Sequence, residues 1–144
     1  HHKYIGIGGR LDTMQAAVLL AKLPHYVGEI KSRQTIAEKY SQAFYNRVLT
    51  PIVKSGRTSV WAQYTVKVQS REQAQENLKK EGIPTAVHYP MPLHLQECFQ
   101  YLGFKLGDFP ISEQVSQEVM SLPMNPFLTD EEIQFITKQM IEKL

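Results

Sequence analysis

One cysteine, Cys98, in 144 residues leaves nothing for an internal disulfide. That excludes a stapled extracellular scaffold and fits a reducing, cytoplasmic setting. No apolar run approaches the roughly 18 residues a membrane-spanning helix needs, so no membrane partner is expected. Charge of one sign is also scarce: the formal net charge is +2, and the nearest thing to basic clusters, Lys79-Lys80 and Lys3 with Arg10, are too small for a nucleic-acid footprint. His88 and His94 have no cysteine or carboxylate at ligand spacing, so no metal site is expected. There is no internal repeat and no low-complexity segment. Nothing at the start reads as a signal peptide, and His1-His2 is either a residual tag or native sequence.

Apolar residues make up 42% of the chain, enough for a packed core in one domain with an appended arm. From Thr13 to Leu23 nearly every residue is apolar, which predicts a helix buried almost all round. Pro24 suits either a kink in one helix or the start of a second. From His25 to about Val48, Tyr26, Ile30, Ala37, Tyr40 and Phe44 recur at helical spacing, giving a long amphipathic helix. Thr50 to Val53 reads as a short edge strand, and Ser59 to Gln69 as the main strand, with Val60, Ala62, Tyr64, Val66 and Val68 on one face. Ser70 with Gln73 forms a capping-box pattern for a helix that buries Ala74 and Leu78 and stops at Gly82.

Pro84 forces extension, and Thr85 to Tyr89 reads as a second strand, parallel to the first, in a β-α-β unit. Leu93 to Leu102 reads as a short helix ending at Gly103. Ile111 to Val119 is a helix with Ile111, Val115 and Val119 in a stripe, and Met120 to Met124 is a third strand. Thr129 and Glu132 cap a last helix whose Ile133, Ile136, Met140 and Leu144 share a face. The expected fold is α/β: a two-layer small domain with a short mixed sheet and flanking helices over residues 50–144, preceded by long N-terminal helices in residues 1–49.

Two stretches could carry chemistry. Gly6, Gly8 and Gly9 let the backbone approach a ligand, Arg10 adds a planar fork of donors suited to carboxylate or phosphate, and Asp12 with Gln15 begins a helix. By themselves these residues are equally a flexible entry loop, since neither a dinucleotide fingerprint nor a phosphate-loop lysine is present. His88 and Tyr89 stand at a strand end before the Pro90-Met91-Pro92 loop, where side chains can leave the sheet for a ligand. A strand-end histidine is also commonly a structural residue. Cys98, beside Phe99, reads as a packing residue without a catalytic partner.

The run Gly6-x-x-x-Arg10-Leu11-Asp12-Thr13-Met14-Gln15-Ala16-Ala17, with Thr85-Ala86-Val87-His88-Tyr89-Pro90 downstream, resembles the sugar-nucleotide aminotransferases that use pyridoxal 5'-phosphate (PLP). These form a branch of the aspartate aminotransferase superfamily, fold type I, and the likeness is greatest to enzymes that aminate a UDP-linked 3-keto-glucuronate. It spans all 144 residues but only the C-terminal part of such an enzyme. The Schiff-base lysine, the aspartate that pairs with the pyridine nitrogen and the ring stacked on the cofactor lie upstream in that family. The resemblance therefore implies a fragment with no catalytic residue of its own, no PLP bound by itself and no transaminase activity as it stands.

For the complete enzyme the resemblance implies a sugar-nucleotide substrate, an amino donor such as glutamate, a homo-oligomer, and a place in amino-sugar and surface polysaccharide biosynthesis. Arg10, His88 and Tyr89 match substrate-binding positions, and Gly8 and Gly9 lie at the cofactor phosphate. Many family members carry asparagine at the position of Gly8, whose side chain reaches the PLP phosphate of the neighbouring subunit; glycine has no side chain to do so, and either the backbone amides of Gly8 and Gly9 replace it or phosphate anchoring rests on the upstream part of the enzyme. The contrasting expectation is a stand-alone, non-catalytic α/β binding module, which the reading frame upstream of His1 would distinguish.

Overall fold

Alternation of apolar and polar residues from Tyr64 to Val68 sends Tyr64, Val66 and Val68 to one side of the backbone, and all three are buried. This is the centre of the fold. The computed structural model describes residues 3–6 and 8–143; His1-His2 and Leu144, the last position of the terminal apolar stripe, lie outside them. The described elements are α1 (Thr13–Lys22), α2 (Tyr26–Ala43), β1 (Tyr64–Lys67), α3 (Arg71–Lys80), α4 (Pro110–Glu118), β2 (Val119–Leu122) and α5 (Asp130–Glu142), with 3-10 segments at Leu23–His25, Leu93–Leu95 and Glu97–Leu102.

β1 and β2 pair antiparallel, Tyr64 opposite Leu122 and Val66 opposite Met120, so these four side chains form one buried face. Ile36, Ala37, Tyr40 and Phe44 of the α2 end, Ala74 and Leu78 of α3, and Ile133, Ile136 and Met140 of α5 complete the same core. Tyr40 stands 5.1 Å from Tyr64 and 5.9 Å from Phe44, centroid to centroid. Its hydroxyl donates to the Pro123 carbonyl at 2.9 Å. Burial, with Tyr64 and Glu132 nearby, pushes the Tyr40 phenol far above its ordinary range. On the opposite sheet face Thr65 and Ser121 share a hydroxyl hydrogen bond of 2.9 Å.

The expected α/β fold, with helices on a small sheet, is present; the sheet's pairing differs. β1 and the 85–89 segment are not neighbours. β2 lies between them, pairing antiparallel with β1 on one edge and, through the single bridge Ser121 to Ala86, antiparallel with the later segment on the other. The sheet is therefore antiparallel rather than mixed. Met120, Ser121 and Leu122 are all buried, and a strand covered on both faces belongs in the middle of a sheet, where both its edges are also paired.

The main strand is shorter than the pattern from Ser59 suggests, because Trp61 adopts a positive φ of 49° and turns the chain out of the sheet. Arg33 holds this turn, donating to the carbonyls of Trp61 at 3.1 Å and Met124 at 2.6 Å. Residues 50–53 form no strand; Leu49 instead bridges Lys67, whose amide donates to it at 3.0 Å. Residues 93–102 form two 3-10 segments rather than one helix, with Gly103 in the left-handed region closing the second at φ 77°.

Three helix starts show different outcomes of similar sequence signals. Asp12 accepts the Gln15 amide at 2.8 Å, and Thr129 and Glu132 form the full reciprocal box at 3.2 and 2.8 Å. Ser70 makes no cap bond: its ψ of 59° departs from the extended geometry, ψ 165°, of the two formed caps, and the Gln73 side chain donates to Asn77 at 3.0 Å. Pro24 lies within the 3-10 turn, Leu23–His25, that joins α1 to α2. α1 itself corrects the expectation of burial: it has no buried residue, and Met14 is 82% exposed and Leu20 69%. No described part of the chain packs over it. Among the described residues no helix is long and apolar enough to cross a membrane.

Candidate functional site

The bridge from Ala86 to Ser121 holds one end of a loop that emerges from the sheet edge, with hydrogen bonds of 3.1 and 2.7 Å between the two residues. Past this anchor the chain cannot continue as a strand, since Pro90 and Pro92 lack the amide donors a ladder needs. His88 and Tyr89 are presented here, joined by a cis peptide bond. Their rings meet edge to face at 5.9 Å, and Tyr89 is 68% exposed.

The loop and α4 enclose a cleft of about 480 Å³, with His88, Tyr89, Met91 and Leu93 on one side and Ser112, Val115, Ser116 and Val119 on the other. Gln96, buried, also lines it. A mostly apolar cleft with a few polar groups and two rings at its rim suits a ligand that is part ring and part polar chain. Ser112, Val115 and Val119 face this space; the Ile111–Val115–Val119 stripe thus does not enter the core, and Ile111 is 77% exposed.

What α4 buries instead is polar. Glu113 accepts from His94 Nε2 at 2.9 Å, from the Gly107 amide at 2.9 and 3.0 Å and from the Phe109 amide at 3.3 Å. Burial pushes this carboxyl up, but the Gly107, His94 and Phe109 donors outweigh it and hold the pKa below its ordinary value. An ionised carboxylate only accepts, so His94 donates through Nε2–H. The His94 ring also lies 4.8 Å from Phe109, which meets Phe104 at 5.1 Å. Sequence reasoning missed this pair. Its signal was a glutamate in the first turn of a helix whose N-cap, Phe109, has no side-chain oxygen to cap the free amides.

Gly8, Gly9 and Arg10 are exposed and precede α1; none lines the cleft of His88 and Tyr89. The structure thus joins His88 to Tyr89 and does not bring Arg10 to them. Among the described residues nothing lies within 4 Å of where a Cβ at Gly8 would stand, so they leave an anion open access to the backbone there. That open backbone, beside a guanidinium, is a donor set compatible with a cofactor phosphate. The Asp12 carboxylate limits it, taking the Gln15 amide at the head of α1. Cys98 is free and half-buried, and no group of three potential metal ligands occurs among the described residues.

A second cleft, of about 490 Å³, lies along Arg47, Lys67, Ser70, Glu118 and Lys143. Two of its cations are already paired, Lys67 with Glu118 at 2.7 Å and Lys143 with Glu81 at 3.1 Å.

The α/β unit in which a short antiparallel sheet shares a core with three helices matches the C-terminal region of sugar aminotransferases. S. venezuelae DesV, solved in complex with a ketimine intermediate, superposes with a TM-score of 0.87 at 29% identity, over 99% of this chain and 39% of that one. Residues 1–141 match the DegT/DnrJ/EryC1/StrS aminotransferase family, and the chain belongs to it. The UDP-2-acetamido-2-deoxy-3-oxo-D-glucuronate aminotransferase of Pseudomonas aeruginosa is 42% identical over 94% of this chain and 37% of its own length. A protein of Geobacillus stearothermophilus called a pleiotropic regulatory protein is 40% identical over 99% of this chain and 39% of its own. The chain thus spans less than two fifths of these relatives.

Proposed function

We propose that these residues are the C-terminal part of a PLP-dependent aminotransferase that moves an amino group from a donor such as glutamate to a keto-sugar nucleotide, a UDP-linked 3-keto-hexuronate. The observation that carries this reading is the 42% identity to the Pseudomonas aeruginosa enzyme across nearly the whole chain. PLP, when bound, supplies the electron sink for the transfer. Residues 50–144 would form the small domain and residues 1–49 its connection to the remainder of the enzyme, which supplies the Schiff-base lysine and leaves these residues inactive alone. Its setting would be the cytoplasm, and its product an amino sugar for surface polysaccharide.

This chain's own contribution is binding and orientation. The Gly8 and Gly9 backbone would face the cofactor phosphate. Arg10 would take the hexuronate carboxylate in a bidentate pair, a geometry that lysine cannot reproduce. His88 and Tyr89, at the cleft rim, would hold the sugar nucleotide. The exposed apolar face of α1 would be covered in a homo-oligomer.

A second reading, a non-catalytic binding module, is favoured by the name of the Geobacillus stearothermophilus relative. One assay separates them: the complete protein, loaded with PLP, is given glutamate and a UDP-linked 3-keto-hexuronate. Stoichiometric 2-oxoglutarate and amino sugar are expected. Binding of the sugar nucleotide without turnover would favour the module, and turnover of a dTDP-linked keto-sugar alone would overturn the substrate class.

A further inference from the structure

The loop bearing His88 and Tyr89 has two ends, and they are anchored by different means. Backbone bonds from Ala86 to β2 secure the first. The second is secured at His94, by the 2.9 Å bond to Glu113. We propose that Glu113 is a positioning residue that acts through His94: its one buried carboxylate clamps the loop so that His88 and Tyr89 stand at the rim of the cleft in a binding-competent arrangement. This rests on the reading of those two rings as sugar-nucleotide contacts.

Several observations bear on the clamp. The His94 and Glu113 side chains are only 8% and 11% exposed, so water does not compete freely for the bond. The same carboxylate is fixed from the other side by the Gly107 and Phe109 amides, which leaves it one orientation in which to receive His94. Glu113 also reaches the cleft through its backbone, accepting from the Ser116 hydroxyl at 2.7 Å, and Ser116 is part of the cleft wall. Within the loop Gln96 donates to the Met91 carbonyl at 3.3 Å, which ties the section after His88 and Tyr89 to the section beside His94. Loss of the His94 bond removes the carboxylate anchor of the second end while the Ala86 bridge still holds the first, and the two rings then sample positions away from the rim.

A ligand that binds only the clamped loop sees an apparent dissociation constant divided by the clamped fraction. The test uses the complete PLP-loaded enzyme with two substitutions. His94→Phe keeps a ring against Phe109 and removes the donor, while His94→Gln keeps an N–H near the place of Nε2. For His94→Phe, KM for the keto-sugar nucleotide and the calorimetric Kd for UDP should both rise about tenfold, as they would if a tenth of the molecules stayed clamped. Turnover at saturation, KM for glutamate and PLP occupancy should not change. His94→Gln should recover most of the loss in both quantities.

An unchanged UDP Kd in His94→Phe, a parallel fall in kcat and rise in both KM values, or failure of His94→Gln to recover binding would each overturn the proposal. Should His94→Phe not fold, Glu113→Gln serves in its place, retaining an oxygen for the Gly107 and Phe109 amides and weakening the bond to His94. His88→Ala is the control for the underlying reading. If it leaves UDP binding intact, the substrate assignment fails; if it weakens UDP binding while His94→Phe does not, only the clamp fails.

Discussion

Arg10 precedes the first helix with its side chain exposed, and what distinguishes arginine from lysine there is shape rather than charge. A guanidinium offers two parallel donors to a carboxylate, an ammonium one. Arg10→Lys in the complete enzyme should therefore lower kcat/KM for a carboxylated keto-sugar nucleotide by about ten- to hundredfold, the equivalent of ~1.5–3 kcal/mol, with PLP occupancy unchanged. Release of PLP with an intact substrate term would make Arg10 a phosphate ligand that compensates for Gly8. Glu113 gives a pH dependence whose sign follows from its depressed pKa. The unfolded chain binds this proton at higher pH than the folded one, so the stabilisation is fully present above the ordinary carboxylate range and is lost as pH falls through the folded value. Acid titration followed by hydrogen exchange should show residues 88–109 losing protection early below about pH 4.3, the ordinary glutamate range. In Glu113→Gln that early loss should disappear, because there is no carboxylate to protonate.

Helix ends show how far an element can be read from its own residues. Thr129→Ala should destabilise the fold by about 1 kcal/mol, since it removes a formed cap, whereas Ser70→Ala should change stability by only a few tenths. Equal losses from the two in urea titration would contradict the observed cap bonds. Local signals sufficed for α5, for the inward Ala74 and Leu78 of α3, and for the left-handed stop at Gly82, because helix faces and caps depend on residues within a few positions. They failed where a distant partner decides. Val60 and Ala62 fit the strand alternation, but Arg33 and the left-handed Trp61 redirect that segment. Nothing local to residues 85–89 shows that β2, more than thirty residues later, will insert beside them. At the site, His88 and Tyr89 were legible as a pair before a proline-bounded loop. The acidic clamp was not: the Phe109 and Gly107 amides are four and six residues from Glu113, but His94, nineteen residues away, meets it only in three dimensions.

For the whole molecule the largest mismatch between residue type and environment is at the N-terminal helices. Met14, Val18, Leu19, Leu20, Leu23 and Val27 are each at least 56% exposed, an accumulation of exposed apolar surface around α1 and the start of α2 of the kind that marks an interface. Covering such side chains is worth roughly 1.5–3 kcal/mol each, and three or four of them together are comparable to the roughly 5–15 kcal/mol by which a fold is stable. The chain of 144 residues, studied alone, should therefore associate through this face. Sedimentation at micromolar concentration is expected to give a mass of two or more copies. Paired substitution of Met14→Glu and Leu20→Glu should return it to one copy whose α2–α5 core still unfolds cooperatively, because neither residue reaches that core, at a midpoint that no longer depends on concentration. A monomer in the unsubstituted chain would mean that α1 is tolerated in water. A persistent oligomer in the doubly substituted chain would move the interface elsewhere on the molecule, to the exposed Tyr101, Phe104 and Leu106 region beside the Glu113 clamp.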